Sequence, residues 1–346
     1  MFQGSSGDFD IQKGHINGYG YNVITAGLTE NGILGKTDID AKLFDEKTIT
    51  IDMFGNAFFR QFKYKLVTHA RVFSLKAKFE VSANQGLFLA SAFHFLNKQF
   101  SYENMCTWTK IRLEKIQLPT KNGNIDFAFM EAFIAELEAQ RIAELEAYLL
   151  TTGLKDYTLT EAEKQALAEF ENIKWETFNL EKLFGKSTRG KRLKSDDRIA
   201  GNLPFVTAGE TDEGISAFIG NEVTIFSENT TTIDMFGSAK YRNYKYGADD
   251  HIAVVHTQKI PKFAAIFVTA AIHKSSYTGK FDYGRNFYAK DADELDIRLP
   301  TKNNQPDYST MQTLISAIQK LVIKEVVQYA DRKIEVTKQV TKTSCS

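Results

Sequence analysis

The chain has 346 residues, of which 43% are hydrophobic and 25% are charged, a composition typical of a folded protein with room for two domains. No apolar run approaches the roughly 20 residues of a membrane span, and no secretory signal pattern opens the sequence. The two cysteines, Cys106 and Cys345, disfavour a disulfide framework and favour a reducing cytoplasm. No cysteine or histidine spacing predicts a zinc site.

The formal net charge is zero, but the charges are distributed unevenly along the chain. Residues 1–118 carry a net charge of +3, residues 173–300 carry +1 and residues 301–346 carry +3, whereas residues 119–172 carry −7. The negative charge of residues 119–172 therefore offsets the positive net charge of the other three segments. For this reason, overall neutrality does not exclude a nucleic-acid partner.

A first domain is predicted over residues 1–118. Its opening stretch, Met1–Gly7, contains glycines and serines, and we expect it to be a flexible leader or cloning remnant outside the fold. Short apolar runs such as Ile49–Ile51 and Val72–Leu75 have strand character, and residues 83–97 have the pattern of a helix. These elements predict a mixed α/β domain.

Central spacer helices are predicted over residues 119–172. From Asp126 to Leu149, apolar residues recur at three- and four-residue spacing, which predicts a long helix that a turn at Gly153 ends. Thr160 and Glu163 then form the sequence pattern of a capping box, which predicts a second, short helix reaching about residue 170.

A second domain, predicted over residues 173–300, repeats the first. Ile252–Val255 is a predicted strand and residues 262–273 are a predicted helix. Four collinear segments recur at an offset of 181 or 182 residues, which indicates a tandem duplication. Val23–Ile33 recurs as Phe205–Ile215, Ile51–Ala57 as Ile233–Ala239, Lys63–Tyr64 as Lys245–Tyr246, and Leu118–Asn122 as Leu299–Asn303. Between these segments the copies diverge, which fits equally with two domains that recognise different targets and with ordinary drift of surface loops.

A C-terminal spacer helix is predicted over residues 301–346, with an apolar stripe from Met311 to Tyr329 and an end near Val336. The acidic central helix and this basic one are expected to form an antiparallel pair, in which glutamates face basic residues. The glutamates are Glu136, Glu138, Glu144 and Glu146, and the basic residues are Lys320, Lys324, Arg332 and Lys333. In the alternative, each helix caps only its own domain.

The sequence contains no nucleotide-binding glycine motif and no metal-ligand spacing, and we expect no catalytic residue, no cofactor and no metal site. His251 and His256 lack a carboxylate at metal-ligand spacing. Asp52 and Asp234 occupy equivalent positions before Phe-Gly, where each is expected to organise a turn through hydrogen bonds to the backbone.

Basic and aromatic residues interleave in loops that match between the two copies. Arginine and lysine side chains contact phosphates, and arginine also contacts base edges, so these loops favour DNA as the ligand. The predicted DNA-contacting residues are Lys13, Arg60, Lys63, Tyr64, Lys65, Lys186, Arg189, Lys191, Arg192, Lys194, Arg242, Lys245, Tyr246, Lys274, Ser275 and Tyr277. Lys13 is included as the first-copy counterpart of the Lys186–Lys194 loop. For any single residue, a solvated loop remains the alternative.

Two substitutions test this surface. We expect Arg242→Ala and Lys245→Ala to weaken DNA binding without unfolding the protein. The spacer helices would be about 40 Å long, close to the 34–36 Å repeat of B-DNA, so the expected target is a bipartite duplex site with an unrecognised gap.

Five kinds of segment carry a family resemblance, through their order along the two copies. They are Trp175–Phe184, the Thr-Ala-Gly segments, Ile-Asp-Met-Phe-Gly in both copies, Leu-Pro-Thr-Lys before each long helix, and Tyr148–Leu154. From about residue 9 to 340, the sequence resembles the specificity (S) subunits of type I restriction–modification systems and of the related BcgI-like systems. The first copy lacks the Trp-x-x-Phe segment found at Trp175, which leaves the outer edge of the first domain undefined.

The resemblance implies two α/β target-recognition domains joined by an antiparallel pair of long helices, as an internal pseudo-twofold repeat. It implies a non-catalytic subunit whose partners are double-stranded DNA, adenine-N6 methyltransferase subunits bound through the helices, and a restriction nuclease, separate or fused. The alternative is a duplicated non-catalytic scaffold that binds protein or glycan. An enzyme with an unrecognised site is a third class.

Overall fold

The computed structural model describes the backbone of residues 1–344 and the side chains of residues 1–335. It contains two compact units, one formed by Met1–Ala147 with the C-terminal helix from Lys333 onward, and the other by Tyr148–Arg332. Among the described helices, none has the length and apolar character needed to cross a membrane. The predicted borders at 118, 172 and 300 separate recognition domains from spacer helices. The two compact units do not separate these parts, so the predicted borders stay predictions.

The first unit contains a four-stranded antiparallel sheet, a smaller three-stranded sheet and a terminal hairpin. The strands are β1 (Phe2–Ser6), β2 (Tyr21–Ile24), β3 (Ile33–Thr37), β4 (Thr48–Ile51), β5 (Ala57–Arg60), β6 (Tyr64–Leu66), β7 (Phe73–Ala77), β8 (Thr120–Lys121) and β9 (Asn124–Ile125). The helices are α1 (Ala83–Ser91), α2 (Trp108–Ile111) and α3 (Phe127–Thr151). The sheet orders are β1-β7-β4-β5, β3-β2-β6 and β8-β9.

The opening residues belong to the fold, so the prediction of a flexible leader is wrong. Phe2–Ser6 pairs antiparallel with Phe73–Ala77 along its whole length, and the Phe2 ring packs against Phe79 and Phe93. The Cβ of any residue larger than glycine at position 4 would overlap the ring of Trp108, so Gly4 meets a packing requirement.

The second unit repeats this arrangement and adds one strand. Its strands are β10 (Trp175–Asn179), β11 (Thr188–Arg189), β12 (Ala200–Val206), β13 (Ile215–Ile219), β14 (Thr230–Asp234), β15 (Ala239–Arg242), β16 (Gly247–Ala248), β17 (Ile252–Val255), β18 (Asp296–Lys302) and β19 (Gln305–Pro306). Its helices are α4 (Glu161–Ala168), α5 (Leu180–Phe184), α6 (Lys262–Ser276), α7 (Ala289–Asp293) and α8 (Tyr308–Ser344). The sheet orders are β11-β17-β14-β15, β13-β12-β16 and β10-β18-β19.

The strand registers of the two units match, which confirms the duplication. Ile51 pairs with Ala57, and Ile233 pairs with Ala239, at the same place in the larger sheet. In each smaller sheet, the first strand pairs antiparallel with the next strand and parallel with a later one. The sequence repeat is therefore a repeat of topology, and the two units are copies of one mixed α/β domain.

The predicted helices are present, with capping that the sequence indicated, but the one predicted over residues 83–97 ends at Ser91 and a 3-10 turn follows at His94–Lys98. The C-terminal helix, predicted to end near Val336, continues to Ser344. The Thr160 hydroxyl accepts a hydrogen bond from the Glu163 amide, and the Glu163 carboxylate accepts one from the Thr160 amide, which is the capping box expected there. α3 and α8 begin in the same way, because Asp126 and Asp307 each accept a hydrogen bond from a backbone amide three residues ahead.

Each unit has its own apolar core, to which the start of its long helix contributes. Met130 on α3 is fully buried against the first large sheet, and Met311 on α8 is fully buried against the second. Cys106 lies in the first core, where burial and the nearby charge of Asp52 raise the pKa of its thiol to about 12. Cys345 lies outside the described residues.

Candidate nucleic-acid interface

The Ile-Asp-Met-Phe-Gly motif forms the same turn in both units. Asp52 Oδ1 accepts hydrogen bonds from the amides of Phe54 and Asn56, each at 2.9 Å, while Oδ2 accepts one from the Gly27 amide at 2.9 Å. The equivalent Asp234 repeats these three contacts. The prediction that these aspartates organise turns is confirmed, and each also ties its turn to the Thr-Ala-Gly loop.

A buried arginine holds the other end of the same loop. Arg242 is 1% exposed; its Nε donates to Thr232 Oγ1 at 2.9 Å and its Nη2 donates to the Glu213 carbonyl at 2.8 Å. Arg60 is 2% exposed and makes the matching bonds to Thr50 Oγ1 and the Asn31 carbonyl. Burial lowers the pKa of Arg60 to about 10.

The loop that each buried arginine holds has an unusual backbone conformation. Glu30 and Asn31 have φ values of 49° and 53°, and Asp212 and Glu213 have values of 48° and 55°. Side chains other than glycine rarely occupy this left-handed region, so the arginine bonds stabilise a strained turn. These arginines therefore position a loop from inside the domain.

Five predicted DNA-contacting residues are buried, and for them the structure corrects the prediction. Besides the two arginines, Tyr64 donates its hydroxyl hydrogen to Ser74 Oγ, and the Lys65 ammonium donates to the Ile39 carbonyl. The hydroxyl of Tyr246 bonds to Thr230 Oγ1 at 2.9 Å. Because their polar atoms bond inside the domain, these side chains cannot reach a phosphate or a base edge. Burial raises the pKa of both tyrosines.

The other predicted residues lie at the surface. Lys63 and Lys245 are exposed at equivalent positions, each followed by a buried tyrosine, Tyr64 or Tyr246. The remaining exposed residues are Lys13, Lys186, Arg189, Lys191, Arg192, Lys194, Lys274 and Tyr277, and Ser275 is half-buried. These eleven side chains are accessible to a ligand, and their contact with DNA stays a prediction.

The basic loop of the second unit is anchored by its backbone while its cationic side chains remain exposed. The Ser187 amide donates to Asp293 Oδ1 at 2.7 Å, the Lys191 amide to the Ala248 carbonyl at 3.0 Å, and the Leu193 amide to Asp249 Oδ1 at 3.2 Å. Lys186, Arg189, Lys191, Arg192 and Lys194 therefore project from a fixed backbone.

The first-unit counterpart of this loop is not the stretch around Lys13. β11 pairs with β17 as β1 pairs with β7, so Thr188–Arg189 corresponds to Ser5–Ser6. Gly7 and Gly190 confirm this alignment, because each lies against the carbonyl of an equivalent residue, Leu66 or Ala248. The first-unit counterpart thus carries no basic cluster, and the two units present different surfaces here.

At the end of α6, Lys274, Ser275 and Tyr277 lie together. The ring of Tyr277 is 4.9 Å from that of His273, whose Nδ1 accepts a hydrogen bond from the Ala239 amide. Packing against His273 fixes a half-exposed aromatic ring beside an exposed ammonium group. In the first unit, α1 is shorter and ends at Ser91, so this surface also differs between the units.

Two exposed tyrosines form a surface feature that the predicted site omitted. Tyr102 is 70% exposed and Tyr283 is 86% exposed, at equivalent positions of the two units. Each ring stands edge-on to the phenylalanine of an Ile-Asp-Met-Phe-Gly turn, Phe54 or Phe236, at 4.9 and 5.3 Å. The signal was present in the sequence, because Phe-x-Tyr recurs inside segments that otherwise diverge.

One group of metal-ligating side chains occurs among the described residues. Asp249, Asp250 and His251 bring potential ligand atoms within 4.8 Å of one another, so the expectation that His251 lacks a carboxylate at metal-ligand spacing is wrong. The Asp249 carboxylate already accepts the Leu193 amide, and His251 already contacts Asp250. The aligned position of the first unit is Val67, since Val67 and Asp249 make the same backbone bond. The group is therefore a local feature of one turn.

Ion pairs link each unit to its stretch of long helix. In the first unit, Lys333 Nζ on α8 lies 2.6 Å from Glu138 Oε1 on α3, and the antiparallel pair of long helices stays a prediction. In the second unit, Lys320 Nζ lies 3.0 Å from Glu163 Oε2 on α4. Glu144 instead pairs with Arg141 on its own helix.

The fold and these surfaces match a known class. The sequence profile of the type I restriction modification DNA specificity domain matches residues 1–147 and again residues 172–329. Because the two matches cover most of the chain and coincide with the two repeated units, the chain belongs to this family of restriction–modification specificity subunits, with two target-recognition domains.

Two individual proteins illustrate the similarity. Over 322 residues, covering 91% of this chain and 90% of the other, the sequence is 24% identical to the specificity subunit of the type II restriction enzyme BcgI from Heyndrickxia coagulans. The fold is similar to the crystal structure of a type I restriction–modification S subunit from M. genitalium, with a TM-score of 0.58 and 16% identity. That match covers 99% of this chain and 92% of the other.

Proposed function

We propose that this specificity subunit recognises a bipartite duplex DNA site, one half through each unit. The observation that carries the proposal is the pairing of a constant scaffold with different exposed surfaces. The register of the large sheet is the same in both units, yet the loop at Lys186–Lys194 is basic in one and its counterpart is not. Different surfaces on one scaffold suit two different half-sites.

The exposed basic side chains would supply the phosphate contacts, and the divergent surfaces would supply the choice of bases. In the second unit, the Lys186–Lys194 loop, Lys245 and the end of α6 near Lys274 contribute cations and the Tyr277 ring. In the first unit, Lys13 and Lys63 remain as candidates. These contacts make affinity depend strongly on salt, since each neutralised phosphate releases counterions.

Features that are identical in the two units would contact what the two half-sites share. The same surface occurs once in each unit. It consists of the exposed tyrosine, Tyr102 or Tyr283, and the loop whose carbonyl accepts a hydrogen bond from the buried arginine, Arg60 or Arg242. A shared surface cannot distinguish two different half-sites. Its partner in this proposal is therefore the sugar–phosphate backbone, or one of two identical protein subunits.

We further propose that the chain assembles with adenine-N6 methyltransferase subunits and a restriction nuclease, and has no active site of its own. α3 exposes Phe129 and Phe133, and α8 exposes Leu321 and Val322, although apolar patches on helices are normally covered. The methyltransferase subunits would cover these faces. The relative from H. coagulans belongs to a restriction enzyme by its name, which supports the same assembly.

The spacing of the half-sites would be set by α3 and α8, packed antiparallel. The two helices contact each other in the first unit, where Lys333 Nζ on α8 lies 2.6 Å from Glu138 Oε1 on α3. A rigid helical pair would give the gap a fixed length.

The test is co-expression with the adjacent methyltransferase and nuclease genes, followed by mapping of adenine methylation over a genome. We expect methylation at one split motif and loss of that methylation when the chain is omitted. Methylation that is independent of the chain, or the absence of salt-sensitive binding to duplex DNA, would contradict the proposal. The second outcome would favour a scaffold that binds protein or glycan.

A further inference from the structure

The stretch around the edge strand of the large sheet has opposite net charge in the two units. In the second unit, residues 186–198 contain six lysine and arginine residues and two aspartates, a net charge of +4. The equivalent residues 3–15 of the first unit contain two aspartates and one lysine, a net charge of −1. The two stretches, called here the second and first edge loops, occupy the same place, since β11 and β1 pair with equivalent strands.

The first edge loop is held to its domain by its own carboxylates. Asp8 Oδ1 accepts a hydrogen bond from the Lys42 amide at 2.7 Å, and Asp10 Oδ1 accepts one from the His69 amide at 3.1 Å. Both aspartates are exposed, so the groups that anchor this loop also place negative charge at the surface. Negative charge repels a phosphate backbone, and this edge of the first unit is therefore unsuited to binding one.

In the second unit, the anchoring carboxylates belong to the body of the domain and not to the loop. Asp293 Oδ1 accepts a hydrogen bond from the Ser187 amide at 2.7 Å, and Asp249 Oδ1 accepts one from the Leu193 amide at 3.2 Å. Between them, Gly190 lies so close to the neighbouring chain that a Cβ there would come within 1.9 Å of a backbone carbonyl oxygen. The backbone of the second edge loop is therefore fixed without an acidic side chain of its own.

Five exposed cations project from this fixed backbone. They are Lys186, Arg189, Lys191, Arg192 and Lys194. Within the part of the chain that the structure describes, none of the five forms an ion pair with an acidic side chain. Such cations can neutralise phosphates without first giving up an internal partner, and the anchored backbone loses little freedom when they do so.

We propose that the two units contribute unequally to DNA binding, and that the second edge loop supplies most of the sequence-independent affinity of the chain for duplex DNA. The second unit then binds a duplex of any sequence through its phosphates. The first unit adds recognition of its own half-site with few phosphate contacts. The inference rests on the proposed function and deepens it, because that function alone leaves the share of each unit open.

The test measures how the affinity of the full chain for a random-sequence duplex of about 30 base pairs depends on salt. The loop variant replaces all five cations of the second edge loop by alanine. Each neutralised phosphate contributes about 0.9 to the slope of log affinity against log salt. We expect this slope to decrease by about three to five, and the affinity in about 0.1 M salt to fall at least about a hundredfold.

The matched control changes the net charge of the chain by the same amount in the first unit. It replaces five exposed lysines by alanine: Lys13, Lys36, Lys63, Lys98 and Lys115. Only Lys13 and Lys63 are candidates for phosphate contact, so the slope should decrease by no more than about two. Equal losses in the control and the loop variant would mean that binding follows the overall charge of the protein, and would overturn the inference.

Folding is checked separately, by thermal unfolding. The loop variant keeps the anchoring residues Ser187, Gly190 and Leu193, so its midpoint should match that of the wild-type protein. The smaller variant Lys191→Ala/Arg192→Ala leaves β11 unchanged, and its slope should decrease by about one to two even if the larger variant does not fold.

Two results would overturn the inference, and they have different consequences for the proposed function. A folded loop variant that keeps the wild-type slope and affinity would refute the inference alone, because the wild-type chain would still bind duplex DNA in a salt-sensitive way. A wild-type chain without salt-sensitive binding would refute the proposed function and the inference together.

Discussion

At the scale of single residues, Arg242 and Lys245 lie three positions apart and have opposite roles. Arg242→Ala removes a buried side chain that donates hydrogen bonds to Thr232 Oγ1 and to the Glu213 carbonyl. The strained loop at Glu213 then loses the side chain that holds it. We expect a loss of about 2–4 kcal/mol in the free energy of unfolding, from the lost volume and the unpaired acceptors. Thermal or urea unfolding of the variant measures it.

Lys245→Ala is the matched control, because this side chain is exposed. Its stability should change by no more than about 0.5 kcal/mol, whereas DNA affinity should fall and the slope of affinity against salt should decrease by about one. From the burial of the two side chains, we therefore expect normal stability for Lys245→Ala alone. A stable Arg242→Ala variant with weakened DNA binding would show that Arg242 does not stabilise the loop from inside the domain.

The limits of sequence interpretation are clearest at these positions. Asp52 was correctly assigned to a turn, because a short acidic side chain before Phe-Gly has a well-defined local role. Arg60 and Lys65 were assigned to the surface, because alternation of basic and aromatic residues does not show which face of a strand is buried. A buried arginine with no carboxylate partner leaves no charge pattern in the sequence.

At the scale of elements, the acidic side chain of Glu163 joins α4 to α8 and gives the second unit a dependence on pH. Burial alone would raise the pKa of Glu163. Hydrogen bonds from Ser316, Thr160 and Lys320 outweigh it and hold the pKa at about 2, against an ordinary value of 4.5. The charged form is therefore bound more tightly in the folded state than in the unfolded state.

The sign of this shift predicts the pH range. The contribution of Glu163 is fully present above about pH 5, where the unfolded state is also ionised, and is lost as the pH falls toward 2. Its size is on the order of 2–3 kcal/mol. Glu163→Gln should lower stability at pH 7 by a similar amount and flatten the dependence between pH 5 and 3, measured by urea unfolding.

The control for that variant is Glu161→Gln on the same helix. Glu161 forms an exposed pair with Lys164, and such pairs contribute little to stability. Its curve of stability against pH should follow that of the wild-type protein. If both variants behaved alike, the shift would come from the general charge of α4 and not from the contacts of Glu163.

Elements with strong local signals were predictable from the sequence, and those defined by tertiary pairing were not. The capping box at Thr160 and the buried strands at Ile49–Ile51 and Ile252–Val255 are present where expected. β1 was missed, because Phe2–Ser6 contains glycine and serine, which have low strand propensity, and only pairing with β7 orders it. The repeated motifs in the sequence were enough to predict the duplicated fold. Which side chains are buried could be learned only from the structure.

At the scale of the whole molecule, the proposed role of the long helices predicts how the spacing of the DNA half-sites responds to their length. Four residues inserted after Leu150, near the end of α3, add about 6 Å of helix. At 3.4 Å per base pair, this corresponds to about two base pairs. We expect the gap of the methylated motif to lengthen by one or two base pairs while both half-sites stay the same, because neither recognition surface is altered.

Methylation mapping of the insertion variant beside a length-preserving control, Thr152→Ala, decides between a spacer and a passive connector. The control should keep the original gap. An unchanged gap in the insertion variant would show that α3 does not set the distance, and changed half-sites would show that the insertion disturbs a recognition domain. A longer gap with the same half-sites requires that recognition and spacing reside in separate parts of the chain, as duplicated domains joined by rigid helices would provide.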